Sequence, residues 1–585
     1  MKKLISLIKK HINRDYLLLF LMSMLNLLFL HHTFLWTINL EIPYFSTSLI
    51  DNFVACLLDV TILLAVVWLL TVRRLRLSLA ITFAITLVWS FCNVFYSRFF
   101  LQYLSWSSIG QAGNLTDSIV INSMMAGFRV ADLYYPIACI LFWWIYRNTK
   151  DSGLRHNSLR TTLCLWACTF CLALAAHSLY FLHPHKGFVQ VLRQTAFTPK
   201  KIDSMWPNWT YFHKGFFRKM VLEQLLYSGT MKLTPEQEAE IAKEYRDHSQ
   251  RVTARTAPEQ VRNIIFILVE SYLSSTSDLF VDGKEITPNL NRLRHDSTVY
   301  FNSHMQPNVS IGESSDGQFI YMAGLLPLHS EITVSRAKKD EILGLPEMLR
   351  KRYPEAASMT ILPTNPSLWD QQAMTEAYGF DSLFSTIEYQ EEYQDLTEPF
   401  LNDEQVFKYA ARKDQTIRQP FCSLILTMTM HQPYTSFFEH GFTVTDKTLP
   451  QEYKNYLISC HYTDIQIGQY LEALKKNGLY DNSLIVIVAD HDAHPDYLGM
   501  SDRITREIPL YIINGGFDPS TAWDGPCNQL DVFTTLLDIM GIDSTWRGLG
   551  HTLLNKNYQD SVTDRVQELS DWIVLGNYFK DKDIR

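Results

Sequence analysis

The sequence predicts an N-terminal α-helical transmembrane domain followed by an outer α/β domain with a mainly parallel sheet. Three observations carry that reading. Long apolar stretches crowd the first third of the 585 residues, although the whole chain is 47% hydrophobic and its mean hydropathy is only -0.05. From Val261 onward, charge-free runs alternate with amphipathic helical patterns, as βα units do. Two of those runs, NIIFILVE (263–270) and LIVIVAD (484–490), end on carboxylates, at the end of a buried parallel strand where open α/β sheets keep their ligands.

Windows of about 19 residues give five candidate spans: Tyr16 to Trp36, Phe53 to Val72, Leu77 to Phe95, Leu133 to Tyr146 and Thr161 to Leu182. The first is longer than a signal-peptide core and is followed by further spans, so it reads as an anchor. Basic residues set the orientation. Lys2, Lys3, Lys9, Lys10, Arg14, Arg73, Arg74, Arg76, Arg147, Lys150, Arg155 and Arg160 fall on one side, against Arg98 and Arg129 on the other. The N-terminus is therefore expected in the cytoplasm of a bacterial cell, with everything after about Leu182 outside its cytoplasmic membrane. The net charge of -8 then has no bearing on nucleic acid, which is not an expected partner.

The expected domains are 1–182, a five-helix membrane domain; 183–260, a linker; and 261–585, the extracytoplasmic α/β domain. In the linker, Trp206, Trp209, Tyr211, Phe212, Phe216 and Phe217 make an aromatic cluster among Lys and Arg, suited to lipid headgroups or to packing on the outer domain. After it, Thr234 and Gln237 suggest a capped polar helix serving as a connector. Outside the spans only Cys422, Cys460 and Cys527 occur, too few for a disulfide framework, though one bridge is possible.

In the outer domain, strands are expected at 263–270, 358–362, 422–429, 484–489 and 509–513, and helices at 315–323, 345–352, 404–411, 453–476 and 530–540. Asp490, His491, Asp492 and His494 crowd one strand exit, and Glu270 and Ser271 stand at another. Carboxylate oxygen beside imidazole nitrogen suits a divalent metal. A third piece is IGESSDG (311–317), a Gly and two hydroxyls where a helix begins. Its free N–H groups and positive dipole end would face an anion. Either Ser314 or Ser315 can be an N-cap. Alternatively one of them is a nucleophile, because coordination by a metal would stabilise its alkoxide at neutral pH.

In order along the chain, strand-Glu-Ser, TPNLNRL (287–293), the Gly-x-Ser segment, TMTMHQPY (427–434) and VADHD (488–492) resemble the lipoteichoic acid synthase and phosphoglycerol transferase branch of the alkaline phosphatase and sulfatase superfamily. The five-span N-terminal half resembles that branch as well. The resemblance implies one divalent ion, Mn2+ in type with Mg2+ or Zn2+ as alternatives, held by Glu270, Ser314, Asp490 and His491. It makes Ser314 the nucleophile and places His431, Trp369 and Gln371 at the bound headgroup. The implied reaction moves a phospholipid headgroup to an extracytoplasmic glycan or polymer through a phosphoserine, releasing diacylglycerol. Two positions depart from the pattern: Glu313 stands where the synthases have Lys, and Gln371 where they have Arg. A Cys/Ser-x-Pro-x-Arg segment is missing, which argues against sulfate ester hydrolysis. Alternatives are a phosphoethanolamine transferase or phosphodiester hydrolase of the same superfamily, and a non-catalytic lipid- or glycan-binding pseudoenzyme.

Overall fold

A computed structural model describes residues 14–37, 47–71, 74–100, 127–149, 231–246 and 255–580, apart from 330, 397–399 and 435–440, together with 103, 104, 121, 215, 216 and 582. They fall into two compact units, Met1–Ile109 with Met124–Ser228 and Gly110–Ser123 with Gly229–Arg585.

The first unit is helical. Its helices α1 (Arg14–Thr37), α2 (Thr47–Leu70) and α3 (Leu75–Phe100) each contain a stretch long and apolar enough to cross a membrane. They match the first three expected spans. The fourth expected span coincides with α4 (Tyr134–Asn148), whose 15 residues rise only about 22 Å, short of a bilayer core of about 30 Å. A turn of 3-10 helix, Val130–Leu133, precedes it. The fifth expected span and the aromatic cluster, apart from Phe216, lie outside the described residues. Polar side chains inside the unit bond across helices, as membrane interiors require. The Asn26 amide donates to Thr86 Oγ1 (3.1 Å), and the Tyr134 hydroxyl donates to Asn26 Oδ1 (2.7 Å).

The second unit is an α/β domain. Besides a two-stranded ribbon that pairs Phe280–Val281 with Lys284–Glu285, its strands are β1 (Asn263–Val269), β2 (Tyr300–Gln306), β3 (Ala357–Ile361), β4 (Ser382–Phe384), β5 (Phe421–Leu426), β6 (Ser483–Ala489), β7 (Ile508–Ile513) and β8 (Cys527–Asn528). They form one sheet in the order β8-β2-β7-β6-β1-β5-β3-β4. Every neighbouring pair is parallel except the two made by β7. Strands β1, β6 and β7 are buried along their whole length, which is why their sequences carry no charge.

Chain register decides where the site can be. In β1, Val269 pairs with Ala489 of β6, and Leu268 pairs with Leu426 of β5. The residues that follow, Glu270, Asp490 and Thr427, therefore leave three adjacent central strands at one level. The expected strand 422–429 stops at Leu426. There the chain is pulled from the ladder by Asp403, the first residue of α7 (Asp403–Thr416), whose Oδ1 accepts N–H from Met428 (2.8 Å) and Thr429 (3.0 Å). Strand β2 was not legible as a strand, because YFNSHMQ alternates burial with polar residues and has no apolar run.

The capped helix is α5 (Pro235–Arg246). Gln237 N–H donates to Thr234 Oγ1 (3.3 Å), and Thr234 N–H donates to Gln237 Oε1 (2.9 Å), the reciprocal pair of a capping box. Its one deeply buried apolar residue, Ile241, joins the core of the outer domain, so α5 packs as part of that domain. Cys422, Cys460 and Cys527 are buried free thiols, and the possible disulfide does not form.

Candidate active site

Helix α6 (Ser314–Ala323) brings the third piece to the strand ends. Its first turn lies so close to β6 that a Cβ on Gly317 would stand 2.2 Å from the Asp490 carbonyl oxygen. Only glycine permits that approach. Gly312 and Ser310 donate N–H bonds to the buried Asp316 Oδ2 (2.8 and 3.0 Å), which holds the turn before the helix.

The two serines separate clearly. Ser315 Oγ donates to the Gly312 carbonyl (2.7 Å) and serves the turn. Ser314 Oγ lies 3.3 Å from Glu270 Oε2 and 3.1 Å from His491 Nε2. His491 Nε2 in turn is 3.5 Å from Glu270 Oε1 and 3.5 Å from Asp490 Oδ2. The ligand-type atoms of Glu270, Asp490 and His491 all fall within 4.8 Å of one another.

Supporting bonds aim each of these groups. Asp490 Oδ1 accepts N–H from Ser271 (2.8 Å) and from His491 (2.7 Å), which leaves Oδ2 for the centre. Ser271 Oγ donates to Glu270 Oε1 (2.8 Å). His491 Nδ1 donates to the Asp492 carbonyl (2.7 Å), which turns Nε2 towards the centre, the nitrogen a metal would take in place of its proton. Gln529 Nε2 fixes the Asp490 carbonyl (2.7 Å). Ser271 (φ 51°), Glu313 (φ 44°) and His494 (φ 48°) are all held in the left-handed region, strain of the kind that persists where a site over-determines its backbone.

Electrostatics at the centre ask for positive charge. Burial pushes the Asp490 carboxyl up to about 8, with the Glu270 carboxylate adding to it. Burial works in the same direction on Glu270, but the neighbouring His491 outweighs it and holds Glu270 well below the usual range. Burial also opposes a charge on His491, yet Asp490, Glu270 and Glu313 prevail and raise its imidazole. Two carboxyl groups, an imidazole whose Nε2 faces them and would exchange its proton for a metal, and a hydroxyl at these spacings fit a divalent cation.

Of the headgroup residues, His431 lies close enough for its charge to lower Glu270. Its Nδ1 donates to the Gln432 carbonyl (2.7 Å), which fixes the ring by the nitrogen next to the backbone. Trp369 and Asp370 form a strained turn (φ 54° and 53°), and Lys338 Nζ holds Asp370 at 2.9 Å. Gln371 is buried and donates from Nε2 to Gln318 Oε1 (2.8 Å), one turn along α6 from Ser314. It is thus tied to the nucleophile helix, and no contact joins it to the Glu270 cluster among the described residues. Sequence reasoning passed over Asp403, Asp316 and Gln529, whose bonds reach residues far along the chain or lie inside a turn and leave no periodic signature.

Central strands that end on a buried Glu, Asp and His, with a helix-start serine against them, make a site able to hold a divalent cation beside a hydroxyl. Residues 262–542 match the Sulfatase family model. Lipoteichoic acid synthase 2 of Bacillus subtilis is 28% identical over 52% of this chain, which spans about half (49%) of that relative. Lipoteichoic acid synthase 1 of the same organism is 25% identical over 84% of this chain and 77% of its own length. A solved structure of the integral membrane lipooligosaccharide phosphoethanolamine transferase A from Neisseria meningitidis covers 91% of this chain and 96% of that one, with a TM-score of 0.53 and 13% identity, a likeness of fold alone. By these matches the chain is similar to lipoteichoic acid synthases over most of its length, and residues 262–542 are similar to the Sulfatase family.

Proposed function

We propose that this phosphotransferase of the sulfatase superfamily moves a phospholipid headgroup from a membrane lipid to an extracytoplasmic glycan or polymer, with Ser314 as nucleophile. The observation that carries the reading is the position of Ser314 Oγ, 3.3 Å from Glu270 and 3.1 Å from His491, at the start of α6. Glu270, Asp490, His491 and Ser314 would hold one divalent cation, Mn2+ by resemblance, which lowers the pKa of the serine hydroxyl and neutralises charge on the phosphate. Ser314 Oγ attacks phosphorus while the bond to the diacylglycerol oxygen breaks, leaving a phosphoserine. A hydroxyl of the acceptor then attacks that phosphorus and frees Ser314. The N–H groups of Ser315, Asp316 and Gly317 are already given to the Gly312 and Glu313 carbonyls, so the start of α6 favours the phosphoryl oxygens through its dipole rather than through those donors. His431, with Nδ1 engaged, presents Nε2 to the phosphate or the incoming hydroxyl.

The membrane part of the reading rests on the three long apolar helices and on the one-sided basic residues. We assign residues 1–182 to a five-span anchor, 183–260 to a linker and 261–585 to a catalytic domain outside the cytoplasmic membrane, where the lipid headgroup is within reach. By resemblance a phosphoglycerol-type headgroup is one candidate, and a phosphoethanolamine-type headgroup is the other. The choice of headgroup falls to the side chains beyond Ser314, where Glu313 stands.

The test is release of diacylglycerol from labelled phospholipid by the full chain in detergent with Mn2+. Turnover with a phosphate adduct mapped to Ser314 supports the proposal; undiminished turnover in Ser314→Ala defeats it.

A further inference from the structure

Glu313 precedes the nucleophile, and beyond its effect on His491 its side chain has no structural work. Its backbone is forced to φ 44°, ψ -114°, and its side chain makes no cap bond to α6. Instead Oε2 turns towards His494 Nε2 (3.7 Å) and His491 Nδ1 (4.0 Å), distances too long for hydrogen bonds. Oε2 is closed to solvent and has no hydrogen-bond partner, and the same is true of His494 Nδ1. The side chains of Glu313 and His494 are only 15% and 11% exposed. Among the described residues, no Lys or Arg pairs with Glu313. The nearby guanidinium of Arg506 is engaged by Asp492, from Nε at 2.9 Å and Nη2 at 2.8 Å.

A carboxylate left this way normally costs free energy, so an acceptor pair of this kind implies a donor that arrives with the ligand. Charge decides what that donor is. A divalent cation offsets Glu270 and Asp490, and Arg506 offsets Asp492, but a phosphodiester brings another negative charge beside Glu313. An anionic or neutral headgroup leaves two like charges facing each other, whereas a protonated amine satisfies the carboxylate and offers a further N–H to the imidazole.

We propose that Glu313 and His494 form the far end of the headgroup pocket and select a phospholipid headgroup that ends in a protonated amine, of the phosphoethanolamine type, over a neutral polyol such as phosphoglycerol. This rests on the headgroup-transfer reading of the same site. It makes Glu313 the specificity-determining residue beside the nucleophile.

Two measurements on the full chain in detergent with Mn2+ test it. The first compares kcat/KM for diacylglycerol release from phosphatidylethanolamine and from phosphatidylglycerol. Loss of a charge-assisted hydrogen bond is worth about tenfold or more, so phosphatidylethanolamine should lead by at least about that factor, and Glu313→Gln should bring the ratio close to one. The second is calorimetry of the soluble headgroups O-phosphoethanolamine and sn-glycerol-1-phosphate with the Ser314→Ala chain, alone and combined with Glu313→Gln. If no lipid is turned over but O-phosphoethanolamine still binds more tightly through Glu313, the transfer reading fails and the amine assignment stands. Equal handling of the two lipids, a preference for phosphatidylglycerol, or a preference that survives Glu313→Gln overturns the proposal. So does elemental analysis showing a second metal ion per chain that disappears in Glu313→Gln, because the pair then holds a metal. The wild-type preference alone decides the matter should Glu313→Gln fail to fold.

Discussion

Ser314 and Ser315 are adjacent, alike in chemistry and about 100° apart around the helix, and that rotation gives them different work. Ser314→Ala should abolish headgroup transfer while leaving the thermal melt of the chain in place, since its hydroxyl touches only Glu270 and His491. Ser315→Ala loses the bond to the Gly312 carbonyl and should cost roughly 1 kcal/mol of stability with transfer largely retained. Mass spectrometry of chain trapped with substrate distinguishes the two, and an adduct on Ser315 would reverse the assignment. The ligand set has its own test. Elemental analysis should find about one divalent ion per chain, lost in Glu270→Ala and Asp490→Asn, and a chelator should lower the melting temperature of the wild type far more than that of either variant. Retained metal with full activity in those variants would remove the cation from the mechanism. The carboxylates and the His were readable in the sequence because ligand-type residues followed charge-free runs. Which of the two hydroxyls faces them was not, because a turn of backbone decides it.

At the scale of elements, the contact between α6 and the end of β6 positions the nucleophile. Gly317→Ala places a methyl group 2.2 Å from the Asp490 carbonyl, so the helix must shift. A displacement of about 1 Å is worth roughly 100-fold in rate; kcat should fall by that order while a folded, metal-binding domain remains, and an unchanged kcat would show that α6 is free to adjust. On the same sheet, β5 and two long helices hold a different device. The Asp414 carboxyl of α7 accepts the Tyr470 hydroxyl (2.6 Å) from α8 (Gln451–Lys476), and burial pushes it up to about 7. A carboxyl raised on folding holds its proton more tightly in the native state, so its contribution to stability is present at low pH and is lost as pH rises from about 4 to about 7. Asp414→Asn keeps an acceptor for Tyr470 without the charge. It should therefore raise the melting temperature at pH 8, by up to a few kcal/mol in stability, and change it little at pH 4; equal effects at both pH values would show that ionisation is not involved. Neither device was visible beforehand. Gly317 reads as an ordinary weak helix residue, and Asp414 as a solvated charge near a helix end, until their neighbours from elsewhere in the chain are in place.

For the whole molecule, orientation is the property most exposed to test. Twelve basic residues flank one side of the expected spans and two the other. One of those two, Arg98, is buried against Asp132 through two bonds of 2.7 and 2.6 Å. A reporter fused after Lys200 should be active only outside the cytoplasm. Activity inside would mean an even number of crossings, and the short α4 is where the count would change.

What the sequence determined by itself was the membrane character of the first third, the central strands and the kind of chemistry at their ends. Those features are written in local periodicity and in which residues follow a buried run, and both survive without knowledge of contacts. The short or polar edge strands, the break after Leu426 and the freedom of Glu313 had to wait for the tertiary structure. Register between strands far apart in the chain sets Glu270, Asp490 and Thr427 side by side. Asp403 ends a strand from another element. Glu313 Oε2 is a buried acceptor without a hydrogen-bond partner only because everything that closes it from solvent is in place around it. Each of these is a fact about neighbours in space, and a carboxylate's meaning depends on them.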